Sequence, residues 1–248
     1  MAAIETVALT RAFDSFLAVD GLTLAVPRGA FFGFLGPNGA GKSTTVRMLT
    51  GVLRPTSGRA EVLGLDIERE PVEMKSRIGV VPEEFALFDR LHGREHLIFT
   101  GRLYGLDRAT AAARAEELLD LLGLAGHAES LVADYSHGMK KKLALGCALI
   151  HGPDVLFLDE PFEGIDAVAS ATVRDLLQHL TTRGVTVFLT SHILEIVERL
   201  CDHVGVIVGG RLRHESAMDE VREGEGLESL FVRLAGGRGP APRLSWLG

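Results

Sequence analysis

Residues 36–44 read Gly36-Pro-Asn-Gly-Ala-Gly-Lys-Ser-Thr44 and match the phosphate-binding P-loop pattern G-x-x-x-x-G-K-[ST]. The glycines of this loop allow backbone conformations that a side chain would forbid, so successive N–H groups can point at phosphate oxygens. Lys42 is expected to reach the β- and γ-phosphates, and Ser43 to place its hydroxyl on a magnesium ion. The segment therefore predicts a polyphosphate site.

The flanks of the loop predict a strand before it and a helix after it. Residues 30–35 are an apolar run next to glycines, which is typical of a buried strand. Residues 44–50 predict a helix that ends at Gly51, so the loop would present an anion to a helix N-terminus. This context favours a P-loop over a glycine-rich turn without function.

Two carboxylates follow a second apolar run in Val155-Leu-Phe-Leu-Asp159-Glu160. A buried strand would deliver both to its C-terminal end, where ligands bind in open α/β sheets. Asp159 would then hold magnesium through water, and Glu160 would polarise the water that attacks the γ-phosphate. The alternative is an acidic pair that ends a strand in solvent, and the upstream P-loop disfavours it.

The remaining pattern predicts a strand-rich core with a helical insert. Strands are expected over residues 19–26, 77–81, 185–190 and 204–208, besides the two described above. Residues 84–151 have helical periodicity, clearest over residues 109–122 and 136–150. After about Arg211 the chain becomes charged and then rich in Gly, Pro and Arg, and it is expected to end in a loosely held tail.

The composition and charge of the chain argue against several classes of protein. The chain has 248 residues, 46% of them hydrophobic, and a formal net charge of -7, which argues against nucleic acid as a partner. No apolar run is long enough to span a bilayer, and no signal peptide is predicted. Cys147 and Cys201 are expected to be buried, inert thiols. The basic run at residues 140–142 is expected to form a solvent-exposed face of a helix. Histidines other than His192 are expected at surface or capping positions.

Further segments resemble the ATP-binding subunit of ABC transporters over nearly the whole chain. Tyr135-Ser-His-Gly-Met139 resembles the signature motif, Glu163-Gly-Ile-Asp166 the D-loop, and Thr190-Ser-His192 the segment of the switch histidine. Val81-Pro-Glu83 lies where the family has its Q-loop, and Phe13 where it has the aromatic that stacks on adenine. The signature and the Pro-Glu-Glu sequence are similar to those of bacterial exporters of drugs, antibiotics and other hydrophobic compounds.

The resemblance implies an α/β fold: a P-loop NTPase (RecA-like) core with an antiparallel β subdomain and an inserted α-helical subdomain. Residues 1–215 would form the ATP-binding domain, with the helical subdomain at about residues 84–151. Residues 216–248 would form a short, partly flexible C-terminal extension.

The function implied is an ATP-hydrolysing motor subunit that drives a separate membrane permease, with ATP and Mg²⁺ as cofactors. Two copies, as a homodimer, would bind ATP head-to-tail at two composite sites. The chain would lie in the cytoplasm, peripherally on the membrane, and bind no nucleic acid. The permease would dock near residues 83–94.

The resemblance also assigns roles to residues. Glu160, His192 and Lys42 would be catalytic, and Ser43, Glu83 and Asp159 would hold the metal. Ser136 and Gly138 would bind the γ-phosphate held by the partner subunit, and Asp166 would lie at the subunit junction. The nucleotide-binding set is Phe13, Val19, Gly36, Asn38, Gly39, Ala40, Gly41, Lys42, Ser43, Thr44, Glu83, Ser136, Gly138 and Asp166.

Two departures from the family pattern keep alternatives open. His137 replaces the first glycine of the signature, and Glu83 replaces the Q-loop glutamine, where a carboxylate would strengthen metal binding or repel phosphates without metal. One alternative is therefore a regulatory ATP-binding protein with negligible hydrolysis. Another is a cytosolic ABC ATPase acting on ribosomes or DNA, which the single P-loop and the lack of a long heptad run disfavour.

Overall fold

The strands form two sheets in a computed structural model that describes residues 2–84, 86–164 and 167–237. The strands are β1 (Ala2–Phe13), β2 (Phe16–Pro27), β3 (Phe31–Leu35), β4 (Ser57–Val62), β5 (Leu65–Asp66), β6 (Ile78–Val81), β7 (Val155–Asp159), β8 (Thr186–Ser191), β9 (His203–Val208) and β10 (Arg211–Ala217). One sheet has the order β10-β9-β3-β8-β7-β6 and the other β2-β1-β4-β5. The strands predicted from the sequence are present, and β2 is longer than predicted.

The larger sheet brings several chain segments to one edge. Its strands β3, β6, β7, β8 and β9 are parallel, and β10 pairs antiparallel with β9. The register aligns Asp159 with Thr190 and Leu35 with Ser191. Because the carboxyl ends of parallel strands meet at the same edge, the segments that follow β3, β6, β7 and β8 lie side by side.

The smaller sheet is entirely antiparallel and packs on the larger one through apolar side chains. Leu22, Leu24 and Val26 alternate along β2 and are buried, as expected for a strand with one face on a core. They share a cluster with Phe32 of β3 and Phe188 of β8, whose rings stack with centroids 5.5 Å apart. The predicted α/β class with an antiparallel β subdomain is confirmed.

Helices cover the larger sheet and form the insert. They are α1 (Lys42–Leu49), α2 (Pro71–Ser76), α3 (Gly93–Leu103), α4 (Arg108–Leu121), α5 (His137–Leu149), α6 (Ala167–Thr182), α7 (Leu194–Leu200), α8 (Met218–Glu223) and α9 (Leu227–Leu234). The insert contains α3, α4 and α5, and α4 and α5 match the two helices predicted there. None of the helices in the described ranges is long and apolar enough to cross a membrane.

Close contact fixes α5 on the sheet. A Cβ at Gly79 of β6 would lie 2.2 Å from the carbonyl oxygen of Ala148, so only glycine allows this approach. The helix that begins at the signature segment is therefore anchored against the strand that leads to Glu83.

The charged segment that follows Arg211 is folded as far as the structure describes it, up to residue 237. It forms β10, α8 and α9, and the apolar residues Met218, Val221, Leu227 and Leu230 are buried in the core cluster. Their spacing of three residues within each helix keeps them on one face, which explains the packing. Residues 238–248, the rest of the predicted extension, lie outside the described residues.

Candidate nucleotide-binding site

The P-loop connects β3 to α1 and leaves the start of that helix open. Gly41 caps α1 with φ +108°, a conformation that favours glycine, and a Cβ there would lie 2.5 Å from the carbonyl oxygen of Ala18. No described side chain caps α1, and its first turn contains no acidic residue. The N–H groups of this turn, with the positive end of the helix dipole, suit an anion.

Lys42 is buried, with 7% of its side chain exposed. Its ammonium donates a hydrogen bond to the carbonyl oxygen of Gly36 at 2.8 Å and lies 3.5 Å from Oε1 of Glu160. A buried ammonium needs such partners because its desolvation is unfavourable. The loop and the acidic end of β7 are therefore joined through one cation.

The two carboxylates at the end of β7 are both buried, at 4% and 7% exposure. Asp159 accepts a hydrogen bond from the hydroxyl of Thr190 on β8. Glu160 has φ +49°, and its N–H donates to the carbonyl oxygen of Thr190 at 3.3 Å and to its hydroxyl oxygen at 3.2 Å. A non-glycine residue in this left-handed region is strained by ~1–3 kcal/mol, a kind of strain that clusters at functional sites.

His192 follows β8 directly and completes the group. Its Nδ1 lies 3.1 Å from Oε2 of Glu160, and 41% of its side chain is exposed against 9% for Glu160. One carboxylate thus contacts Lys42 through Oε1 and His192 through Oε2. The three residues predicted to be catalytic are adjacent.

A cavity of about 420 Å³ opens at this edge of the sheet, within the ~300–1,000 Å³ usual for small-molecule sites. Its lining consists of Phe16, Ala18, Asn38, Gly39, Gly41, Lys42, Ser43, Thr44, Glu83, Glu160, Glu163 and His192. Phe16 and Ala18 were not predicted from the sequence, and Glu163 was predicted only as the start of the D-loop segment.

The aromatic residue beside the cavity is Phe16 rather than the predicted Phe13. The two are partners across the β1–β2 turn, and the guanidinium of Arg11 covers the Phe13 ring at 4.4 Å from its centroid. Phe16 lines the cavity and is 61% exposed. Nothing in the sequence distinguishes which aromatic of this turn faces the loop.

Other predicted residues lie behind or outside the cavity. Val19 and Ala40 are buried, and a Cβ on Gly41 would lie 3.3 Å from a methyl carbon of Val19, so they support the loop from behind. Gly36 contributes its carbonyl oxygen to Lys42. Asp166 lies outside the described residues.

The signature segment is not part of the cavity of the same chain. Ser136 caps α5 by accepting a hydrogen bond from the N–H of Met139 at 3.2 Å, and neither Ser136 nor Gly138 lines the cavity. His137 has its ring against Gly164, where a Cβ would lie 3.1 Å from Cδ2. The imidazole that replaces a glycine is therefore accommodated without disturbing the start of α5.

The basic run at residues 140–142 is not entirely a solvated face, contrary to the expectation. Lys141 is buried at 7% exposure, whereas the side chain of Lys140 is 26% exposed and lies 3.3 Å from Asp89. Successive helical residues differ by about 100°, so three in a row cannot all face solvent on a helix packed against a sheet.

The oxygen groups near the loop fit a magnesium ion. Ser43 and Glu83 line the cavity, and Asp159 is buried at the end of β7. Hydroxyl and carboxylate oxygens are the ligands that Mg²⁺ prefers, together with water and phosphate oxygens. Ser43, Glu83 and Asp159, the predicted metal set, carry such oxygens.

Comparison with known proteins agrees with this geometry. Residues 19–163 match the ABC transporter family. The chain is 41% identical over 244 residues to the daunorubicin/doxorubicin resistance ATP-binding protein DrrA of Streptomyces peucetius, covering 98% of this chain and 74% of DrrA. It is 38% identical over 221 residues to the bacitracin transport ATP-binding protein BcrA of Bacillus licheniformis, covering 89% and 71%.

Comparison with solved structures supports the same family. The chain superimposes on the ATP-binding subunit of an ABC transporter with a TM-score of 0.87 and 30% identity, covering 94% of this chain and 99% of the other. A dimeric ATP-binding cassette bound to ADP and phosphate has the same fold, with a TM-score of 0.81 at 20% identity, covering 87% and 98%. By sequence, fold and site, this chain belongs to the ABC transporter family and is an ATP-binding, ATP-hydrolysing subunit of that family.

Proposed function

We propose that the chain is the motor subunit of an exporter of drugs or other hydrophobic compounds, acting on a separate membrane permease. The proposal that the chain hydrolyses ATP through this site rests on one observation: the buried carboxylate of Glu160 contacts both Lys42 and His192. The similarity to DrrA and BcrA supports the export of antibiotics.

The residues of the site divide the chemistry between them. Lys42 and the open N-terminus of α1 bind the phosphates of ATP, and Glu160 orients and polarises the attacking water. His192 holds the γ-phosphate and Glu160 in line. Ser43, Glu83 and Asp159 would hold Mg²⁺, which supplies positive charge against the phosphate oxygens.

Phe16 is the better candidate for the stacking face on adenine, since it lines the cavity, whereas Phe13 does not line it and has the Arg11 guanidinium over one face of its ring. Val19 and Ala40, which are buried, would contribute to the site by supporting the loop. The other P-loop residues, Gly36, Asn38, Gly39, Gly41 and Thr44, bind phosphate through their backbone or shape the loop.

Two copies of the chain would close over two ATP molecules. Ser136 and Gly138, at the start of α5, lie outside the cavity of their own chain, which favours their contact with the nucleotide of a second copy. A helix N-terminus with a serine hydroxyl suits the γ-phosphate. Asp166 would lie at this junction, and the dimer would be a homodimer.

The permease would dock on the insert near residues 83–94, and the chain would then lie in the cytoplasm against the membrane. Phe88 is 56% exposed, and its ring meets Phe99 edge-on with centroids 5.5 Å apart. Leu103 on the same helix as Phe99 is 71% exposed. Neighbouring exposed apolar residues are typical of an interaction surface.

The test of the catalytic part is Mg²⁺-dependent ATP turnover by wild type and Glu160→Gln, with dimerisation followed by size-exclusion chromatography under ATP. Turnover should fall by at least ~100-fold in the variant, and ATP should trap it as a dimer. Glu117→Gln, an exposed change on α4, is the matched control. Unchanged turnover in Glu160→Gln would refute this role.

The export part needs a separate test in cells. A host strain with a Glu160→Gln allele should accumulate more daunorubicin, measured by its fluorescence, than the parent strain. The two strains could accumulate daunorubicin equally although the variant has lost ATP turnover. In that case the ATPase assignment would stand, and daunorubicin would not be a substrate.

A further inference from the structure

Lys141 is a buried cation that the chemistry described above does not use. It lies on α5, one turn after His137, and is 7% exposed. Burial lowers the pKa of its ammonium, while the nearby carboxylates of Glu163, Glu160 and Glu83 act in the opposite direction. A lysine is buried in this way only when its ammonium has strong hydrogen-bond partners.

The partners of the Lys141 ammonium are two main-chain oxygens of the turn that follows β7. Nζ donates to the carbonyl oxygen of Glu160 at 2.8 Å and to that of Glu163. The same turn is closed by the N–H of Glu163, which donates to the carbonyl oxygen of Glu160 at 3.3 Å. Lys141 therefore holds the first and last residues of the turn that bears the catalytic carboxylate.

Glu160 needs such support because its backbone is in the left-handed region, with φ +49°. Strained conformations of this kind persist only when their surroundings fix them. Thr190 of β8 fixes the N–H of Glu160, and Lys141 of α5 fixes its carbonyl oxygen. The peptide groups on both sides of the Glu160 Cα are thus held, from two different elements.

We propose that Lys141 is a positioning residue for ATP hydrolysis, which fixes the Glu160 turn from the signature helix and so aims the Glu160 carboxylate. Lys141 is not among the residues that line the cavity of about 420 Å³. The proposal rests on the proposed catalytic role of Glu160. It also links the helix that begins at the signature segment to the hydrolytic residue of the same chain.

The test compares Lys141→Met with Lys140→Met, a neighbouring change outside this turn. Steady-state ATP turnover should show kcat lowered by ~10–100-fold in Lys141→Met, with KM for MgATP within ~2-fold of wild type, because misplacing a catalytic group affects the chemical step. Lys141→Arg, which retains the donors, should restore kcat to within ~3-fold of wild type. Lys140→Met should stay within ~2-fold in both parameters.

A double-mutant cycle separates positioning from general stabilisation. In the Glu160→Gln background, single-turnover rates should fall by less than ~2-fold when Lys141→Met is added, since the group to be positioned is already lost. An equal fall in both backgrounds, or an unchanged kcat in Lys141→Met, would overturn the proposal. If Lys141→Met unfolds at the assay temperature, Lys141→Gln, which keeps an amide donor, replaces it in the same cycle. A normal kcat in Glu160→Gln alone would instead refute the proposed function.

Discussion

The imidazole of His192 contacts the carboxylate of Glu160 with 3.1 Å between Nδ1 and Oε2. The contact follows from the sheet, because β7 and β8 are parallel neighbours and the register pairs Asp159 with Thr190. The residues just beyond these strand ends therefore meet. The carboxylate is buried and the imidazole partly exposed, so the fixed acid orients a histidine that a nucleotide in the cavity can reach.

Replacing His192 by alanine is expected to lower kcat for ATP by about 100-fold and to leave the affinity for ATP within about 2-fold. The imidazole acts on the transferred phosphoryl group, whereas the P-loop supplies most of the binding. Steady-state turnover and equilibrium nucleotide binding measure the two effects. His179→Ala, on the exposed side of α6, is the control, and a large loss of affinity in His192→Ala would contradict the assignment.

The adenine platform can be assigned by comparing Phe16→Ala with Phe13→Ala. Phe16→Ala should weaken ATP binding by about 2–10-fold, the loss expected when one aromatic stack is removed. Phe13→Ala should change the affinity by less than about 2-fold, because Phe13 is not among the cavity residues and Arg11 occupies one face of its ring. Fluorescence titration with an ATP analogue labelled on the ribose gives both values. If Phe13→Ala weakened ATP binding more than Phe16→Ala, Phe13 would be the residue that stacks on adenine.

The sequence could predict the centre of the site because each motif directly follows a buried strand. The P-loop follows β3, Asp159 ends β7, Glu160 comes next, and His192 follows β8. Parallel strands end at a shared edge, so local patterns alone bring these groups together. The strand pattern predicted the P-loop and the Asp159-Glu160 pair, whereas His192 was assigned from the family resemblance of Thr190-Ser-His192.

The features that the sequence could not predict depend on register and on helix rotation. Bulges along β1 shift its pairing with β2, so the face occupied by Phe13 or Phe16 cannot be counted from the sequence. The burial of Lys141 depends on which side of α5 packs on the sheet. In the same way, β10, α8 and α9 are stabilised by tertiary burial of a few apolar side chains in a charged segment.

The two cysteines are expected to resist alkylation in the folded protein. Burial raises the pKa of the Cys147 thiol to about 11 and that of Cys201 well above its ordinary value. At pH 8 a pKa of about 11 leaves about one thiolate per thousand molecules, against about one in four for an unperturbed thiol. Iodoacetamide labelling followed by intact-mass analysis should show both thiols unmodified in buffer and both modified in urea. Rapid native labelling at either cysteine would contradict this expectation.

A buried histidine in the insert predicts acid sensitivity of the folded state. His96 is 4% exposed, although the sequence indicated a surface or capping position. Its Nε2 accepts a hydrogen bond from the N–H of Phe88 at 3.0 Å, and its Nδ1 lies 3.4 Å from the sulfur of Cys147. Protonation of Nε2 would place two donors face to face and break the contact with Phe88, which lies in the segment proposed to meet the permease.

Burial lowers the pKa of His96 from its ordinary value of 6.5. A folded-state pKa below the unfolded one means that the unfolded chain binds the proton more strongly, so stability falls with falling pH in this window. The contribution of His96 to the free energy of unfolding is present above about pH 6.5 and is lost as the pH falls through the lower folded-state pKa.

Urea unfolding followed between pH 7.5 and 5 should show the midpoint falling more steeply for wild type than for His96→Gln, whose amide oxygen can accept from the N–H of Phe88 without titrating. His151→Gln is the matched comparison, because burial also lowers the pKa of His151, and each single variant should flatten part of the profile. Identical slopes in wild type and His96→Gln would show that His96 does not couple protonation to folding.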